Sequence, residues 1–203
     1  MVLAPKAPEE RRRRILTATV DVLRERGFAG TRVTDIADAA GTSSGLVLYH
    51  FKSLEGALAE ALTTLEDDFY AELEAELGGS AGPGERLRRM AELGAGSGPA
   101  VGDWGLWLEI WVRALRSPAA RATREQLDRR WRGLIREVID EGVTSGEFRT
   151  DDAEDATARL AALMDGLAIQ LALEDPAMGP DRFVRLWLEA AELELQADLG
   201  STT

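Results

Sequence analysis

Apolar residues recur every three or four positions along almost the whole chain, and polar residues fill the gaps. That spacing lines one side of an α-helix. Ile15, Leu16, Ala18, Val20, Val22 and Leu23 mark a helix over residues 10–26, which Gly27 should end. Val33, Ile36, Ala37 and Ala40 mark a second, short one, for which Thr31 is the expected cap. A third carries Leu46, Val47, Leu48, Tyr49, His50 and Phe51. Ser53 opens a longer fourth helix reaching about residue 77, with Leu54, Ala57, Leu58, Ala61, Leu62, Leu65, Phe69 and Leu73 on its apolar side. The glycine-rich run 78–84 is the clearest break. Helices are expected over 85–93 and 103–116, and Ser117-Pro118 then gives a cap followed by a first-turn proline. The helix it opens should run to about residue 141 and be followed by a loop over 142–150. Two further helices, 152–174 and 181–199, close the chain. No segment sustains the alternation of a strand, so the pattern predicts an all-α protein of about nine helices.

Residues 31–52 carry the most specific signal. Gly41 sits where a helix must stop and the chain must bend, a position that favours a residue tolerant of positive φ. Thr42, Ser43 and Ser44 follow, and each is a possible cap for the helix through Phe51. Two short helices joined by a tight glycine-containing turn are the usual form of a helix-turn-helix, a reader of the DNA major groove. A division follows: residues 1–53 as a three-helix DNA-binding domain, and 54–203 as a second helical domain, to which the resemblance given below assigns ligand binding and dimerisation.

Net charge taken alone opposes this. The chain has a formal net charge of −12. The distribution reverses the impression. Residues 1–56 hold 9 Lys and Arg against 7 Asp and Glu, whereas 57–203 hold 15 against 29. A phosphate-binding surface needs local positive charge, and Arg11, Arg12, Arg13 and Arg14 stand together at the start. They could reach DNA as a basic arm or simply form a solvated helix start. With 45% apolar residues the chain can fill a core, yet it has no unbroken apolar run of membrane-spanning length. It has no cysteine, and residues 1–10 lack the pattern of a secretion signal, so a cytoplasmic location is expected. No metal site or cofactor is indicated.

Residues 11–62 resemble the amino-terminal domain of the tetracycline-repressor (TetR) family. The resemblance rests on Arg26-Gly27-Phe28, Thr31, Thr34-Asp35-Ile36-Ala37, Ala40-Gly41-Thr42-Ser43 and Leu48-Tyr49-His50-Phe51-Lys52-Ser53 with Glu55, in that order and spacing. Gly45-Leu46-Val47 and Trp107-Leu108-Glu109-Ile110-Trp111 are similar to the branch that includes the betaine-operon regulators. The resemblance implies a homodimer on double-stranded DNA, with three helices binding a near-palindromic operator and about six holding an effector. The last two helices would pair with their twins. It also implies repression, relieved by a small molecule.

The DNA-binding candidates are Thr31, Thr42, Ser43, Ser44, Leu46, Tyr49, His50 and Lys52. Hydroxyls at helix starts suit phosphate, as do the free N–H groups there. Plain capping explains Thr31 and Ser43 equally well, and His50 could equally pack against the first helix. Thr42, Ser44 and Leu46 are the candidates for base edges. For the effector pocket the candidates are Phe69, Trp104, Trp107, Trp111, Trp131 and Asp165. An aromatic wall holds a flat apolar molecule, or a cation through its π faces. Aromatic stripes are also ordinary core, with Glu109, Arg113 and Arg116 on the other side of the helix. Asp165 needs a partner if buried, and Arg159 or Arg136 would serve. For the dimer interface the candidates are Leu163, Leu167, Leu171, Phe183, Leu186, Trp187, Ala190 and Leu193, although they too could fill a monomer core.

An all-helical enzyme is the competing class. One histidine, no cysteine and no phosphate-cradling loop leave it without a convergent reactive set. A helical interaction module is a third option, and the specific pattern at 31–52 weighs against it. The expected function is therefore a ligand-responsive repressor, not an enzyme, released by a small hydrophobic or cationic effector.

Overall fold

The computed structural model describes residues 6–77, 82–96 and 104–200, apart from eight side chains near the helix ends at 6–7 and 69–77. Among the described residues there are nine α-helices and no strand. They are α1 (Lys6–Gly30), α2 (Val33–Ala39), α3 (Ser44–Phe51), α4 (Leu54–Leu77), α5 (Pro83–Gly94), α6 (Trp104–Ala114), α7 (Pro118–Ser145), α8 (Ala153–Ala172) and α9 (Pro180–Leu195). None of the described helices is long and apolar enough to cross a membrane.

The chain divides into two compact units, Met1–Asp68 with Leu106–Thr123, and Phe69–Gly105 with Arg124–Thr203. In the first, α1 packs on α2 and α2 on α3. Ile15, Leu23, Ile36, Val47, Phe51 and Ala57 are buried there, as the periodicity requires. The buried face of α6 is Leu106, Ile110 and Ala114, one residue in four, and Trp107 and Trp111 flank it half-exposed.

In the second unit α8 and α5 both pack on α9. Its core gathers Leu87, Met90, Ile135, Ile139, Phe148, Leu160, Met164, Phe183 and Trp187. The Trp187 indole donates to the Leu160 carbonyl at 3.0 Å, so the core's one indole N–H is satisfied. Asp152 caps α8 by accepting from the Glu154 and Asp155 amides at 2.9 and 3.0 Å.

Two boundaries differ from the sequence pattern. α1 starts at Lys6, earlier than expected; its regular ladder does stop at Gly27, whose φ 65 and ψ 178 are not helical, and one further helical turn follows to Gly30. α7 runs through Gly142 to Ser145, so the expected loop is shorter. Gly142 serves packing here: a Cβ would fall within the Phe148 ring. Gly146, at φ +80, is the glycine that ends the helix.

Candidate nucleic-acid interface and effector residues

The turn between α2 and α3 needs Gly41, whose φ is +59. Ser43 caps α3, its hydroxyl accepting from the Leu46 amide at 3.3 Å. Val47 and Phe51 point inward and anchor α3. The opposite side is open: Ser43, Gly45, Leu48, Tyr49 and Lys52 are exposed, and Thr42, Ser44, Leu46 and His50 are half-exposed. Tyr49 is 70% exposed, an unusual state for a large aromatic on a short helix. The Lys52 amine donates to the Tyr49 carbonyl at 3.2 Å and stands 5.6 Å from its ring centroid. Lys52 closes α3 at φ 68, a conformation that costs a non-glycine residue energy. His50 lies edge-on to Tyr49 at 5.4 Å and tilted to Phe51 at 6.1 Å. Ser53 then caps α4 through the Gly56 amide at 3.0 Å.

Thr31 behaves differently from its expected role. Arg32 is the N-cap of α2, while Thr31 is 4% exposed and donates its hydroxyl to the Gly27 carbonyl at 2.7 Å. It closes the end of α1 and has almost no surface left for phosphate. Of the four clustered arginines, Arg12 pairs with Glu60 and lies 5.1 Å over the Phe51 ring, so it braces α1 against α3 and α4. Arg11, Arg13 and Arg14 remain exposed. Leu48, beside Tyr49, is 41% exposed although apolar.

The expected effector residues separate. Trp107 and Trp111 lie in the first unit. Trp104 and Trp131 border the core of the second, and the Trp104 indole donates to the Gly94 carbonyl at 2.9 Å. The Phe69 side chain lies outside the described residues. Asp165 is half-buried on α8, and its carboxyl is pushed up to about 6, first by burial and next by Asp128, while Arg132 and Arg124 pull it down. Neither expected partner reaches it. Arg159 is taken by Glu194 at 2.7 Å and Asp155 at 3.3 Å. Arg136 is taken by Asp140 at 2.8 Å and Glu154 at 3.2 Å. Even Arg124 is engaged, donating to Asp128 at 2.6 Å.

Residues 15–61 match the family described as bacterial regulatory proteins of the tetR family, and residues 83–196 match the BetI-type transcriptional repressor, C-terminal. The chain belongs to the TetR family, in its BetI-type branch. It is similar to the transcriptional regulator BetI of Escherichia coli O45:K1, with 27% identity over 175 residues covering 83% of this chain and 85% of that protein. Among solved structures it resembles a transcriptional regulator from Saccharomonospora viridis in complex with choline, at 32% identity and TM-score 0.81 over 92% of this chain and 98% of the other. A TetR-family regulator from Rhodococcus sp. matches at 28% identity and TM-score 0.81, over 92% and 99%. The TetR match brackets α2 and α3 entirely, and the BetI-type match runs from α5 to the end of α9. The chain is thus a transcriptional regulator and not an enzyme.

The expected dimer residues fall into two groups. Phe183 and Trp187 are 0% exposed and Leu167 is also buried, so in a single copy they are core and offer a partner no surface. Leu163, Leu171, Leu186 and Ala190 are half-exposed, and Leu193 is 82% exposed. Helical periodicity separates inward from outward positions only when the solvent side is polar. On α8 residues 160–172 are apolar nearly all round, so the pattern could not sort them, whereas α9 exposes Asp181, Arg182 and Arg185 and its apolar side is simply too wide to be covered within one copy.

Sequence reasoning missed two residues with structural weight. In the sequence Glu109 and Arg113 only mark the side of α6 opposite the tryptophans, yet both touch the end of α1. Their partners lie some eighty residues earlier, and no local pattern announces such a meeting.

Proposed function

We propose that this chain is a repressor that binds a near-palindromic operator as a homodimer and is released by a small quaternary ammonium compound. The observation that carries the DNA-binding half is α3 itself. A short helix anchored by Val47 and Phe51 leaves Tyr49 almost bare beside Lys52, Ser43 and Ser44. An aromatic left in water on one face, with a cation and hydroxyls around it, fits a helix that lies in the major groove. Ser43 and Lys52 then meet phosphate, and Thr42, Ser44, Leu46 and Tyr49 approach base edges. Residues 1–53 supply this function, and 54–203 supply effector binding and pairing. Two copies are needed because half-sites about 34–36 Å apart require two recognition helices. Such a molecule works in the cytoplasm.

For the effector, three features support a cation. The Saccharomonospora viridis relative was solved with choline. Trp104 and Trp131 are incompletely covered at the edge of the second unit's core. Asp165 is a half-buried carboxyl with no ion pair among the described residues, next to the like charge of Asp128. Indole faces and a carboxylate together recognise a quaternary ammonium group. Release follows only if the cation binds the DNA-free conformation better than the DNA-bound one.

The test is selection of duplexes from a random pool, followed by anisotropy titration at fixed salt with and without choline. Enrichment of an inverted repeat is expected, with Tyr49→Ala weakening binding about tenfold or more while the dimer persists. Choline should raise the apparent Kd of the wild type. No enrichment overturns the DNA reading. Enrichment without any response to choline removes the ammonium assignment alone.

A further inference from the structure

α1 ends in a break that another helix mends. At Gly27 the backbone takes φ 65 and ψ 178, which interrupts the helical ladder and turns the next amide aside. That amide, the N–H of Phe28, donates to the Glu109 carboxylate at 2.6 Å, 81 residues away on α6. The fit is close: a Cβ on residue 27 would lie 2.5 Å from the Glu109 Oε1 atom. One turn along α6, Arg113 places its guanidinium 5.3 Å over the Phe28 ring and 3.6 Å from Glu55 of α4. The other side of the joint is tied as well. Thr31 bonds the Gly27 carbonyl at 2.7 Å, and Arg26 reaches Asp35 of α2 at 3.0 Å. Asp35 in turn accepts the Arg32 amide at 3.0 Å.

The joint between α1 and α2 therefore has one buried-end donor that its own segment cannot satisfy, and a charged acceptor from α6 supplies it. Because α3 follows α2 through a tight turn, the setting of this joint carries over to the helix that bears Tyr49. We propose that Glu109 is a positioning residue for DNA recognition, acting through the Phe28 amide to fix how α2 and α3 leave α1. The proposal rests on the reading of α3 as the groove-reading helix.

The experiment compares Glu109→Ala, Glu109→Gln and Glu109→Asp in the full chain. Each is titrated at one salt concentration against the selected inverted-repeat duplex and a scrambled duplex of equal length, and exchange of the Phe28 amide is followed by NMR without DNA. Loss of the acceptor in Glu109→Ala should cost about tenfold in affinity for the selected duplex and about twofold or less for the scrambled one. The Phe28 amide should exchange about tenfold faster in that variant. Glutamine keeps an acceptor oxygen at the same reach and should restore both readouts to within about threefold, whereas aspartate, one methylene short, should not. The proposal is overturned if Glu109→Ala matches wild type on the selected duplex, if it loses both duplexes equally, or if glutamine fails to rescue. Should the unmodified chain prefer no duplex, the reading of α3 fails, while the exchange measurement separately decides whether Glu109 protects the joint.

Discussion

Asp165 shows how far one side chain can be read in advance. Its place in an apolar helix identifies a carboxyl in need of a partner, but the expected arginines belong to other networks. Helical spacing gives neighbours along α8 and says nothing about which residues of α7 face it. The result is a carboxyl raised from 3.8 to about 6, chiefly by burial. The sign follows. The folded state holds this proton more tightly than the unfolded one, so stability falls as pH rises from about 3.8 through about 6 and is flat beyond. Asp165→Asn should therefore raise the urea midpoint at both pH values, by about twice as much at pH 8 as at pH 5, with choline response lost in both cases. An equal gain at the two pH values would contradict the assignment. Thr31 teaches the same lesson in reverse. A threonine before a helix reads as a cap, but its hydroxyl instead bonds the carbonyl four residues back, as those of Thr19 and Thr157 do.

Most helices were legible because their apolar sides follow the 3.6-residue period and their ends carry serine, proline or glycine at the right places. Ser43, Ser53, Ser117 and Asp152 each cap the helix they precede. Glycine misled the reading where it serves packing instead of punctuation. Gly133 and Gly142 lie on the same helix α7, yet an added Cβ meets open space at the first and the Phe148 ring at the second. Gly133→Ala should stabilise by about 0.5–1 kcal/mol through helix propensity alone. Gly142→Ala should destabilise by roughly 1–3 kcal/mol because the ring must move in a filled core. Urea denaturation of the pair measures both signs in one element.

At the scale of the whole molecule, the architecture and the DNA-reading segment were readable because residues 31–52 act locally. The effector and pairing surfaces were not, because they depend on which sides of α6, α8 and α9 remain uncovered. Leu173 and Leu193 stand 70% and 82% exposed on or beside the last two helices, beside half-exposed Leu163, Leu186 and Ala190. Isolated exposed leucines are ordinary, but a group of them on adjoining helices calls for a cover. In the proposed dimer a second copy of the chain supplies one by two-fold pairing. Leu193→Glu should shift the protein to a monomer in light scattering and abolish operator binding, with helicity by circular dichroism unchanged. A dimer that survives this change would place the interface elsewhere. In that proposed dimer the bare leucines would also govern dosage. When concentration drops below the pairing constant, occupied promoters scale with the square of total protein, so halving synthesis quarters the response. A switch built this way is steep at low copy number before any effector arrives.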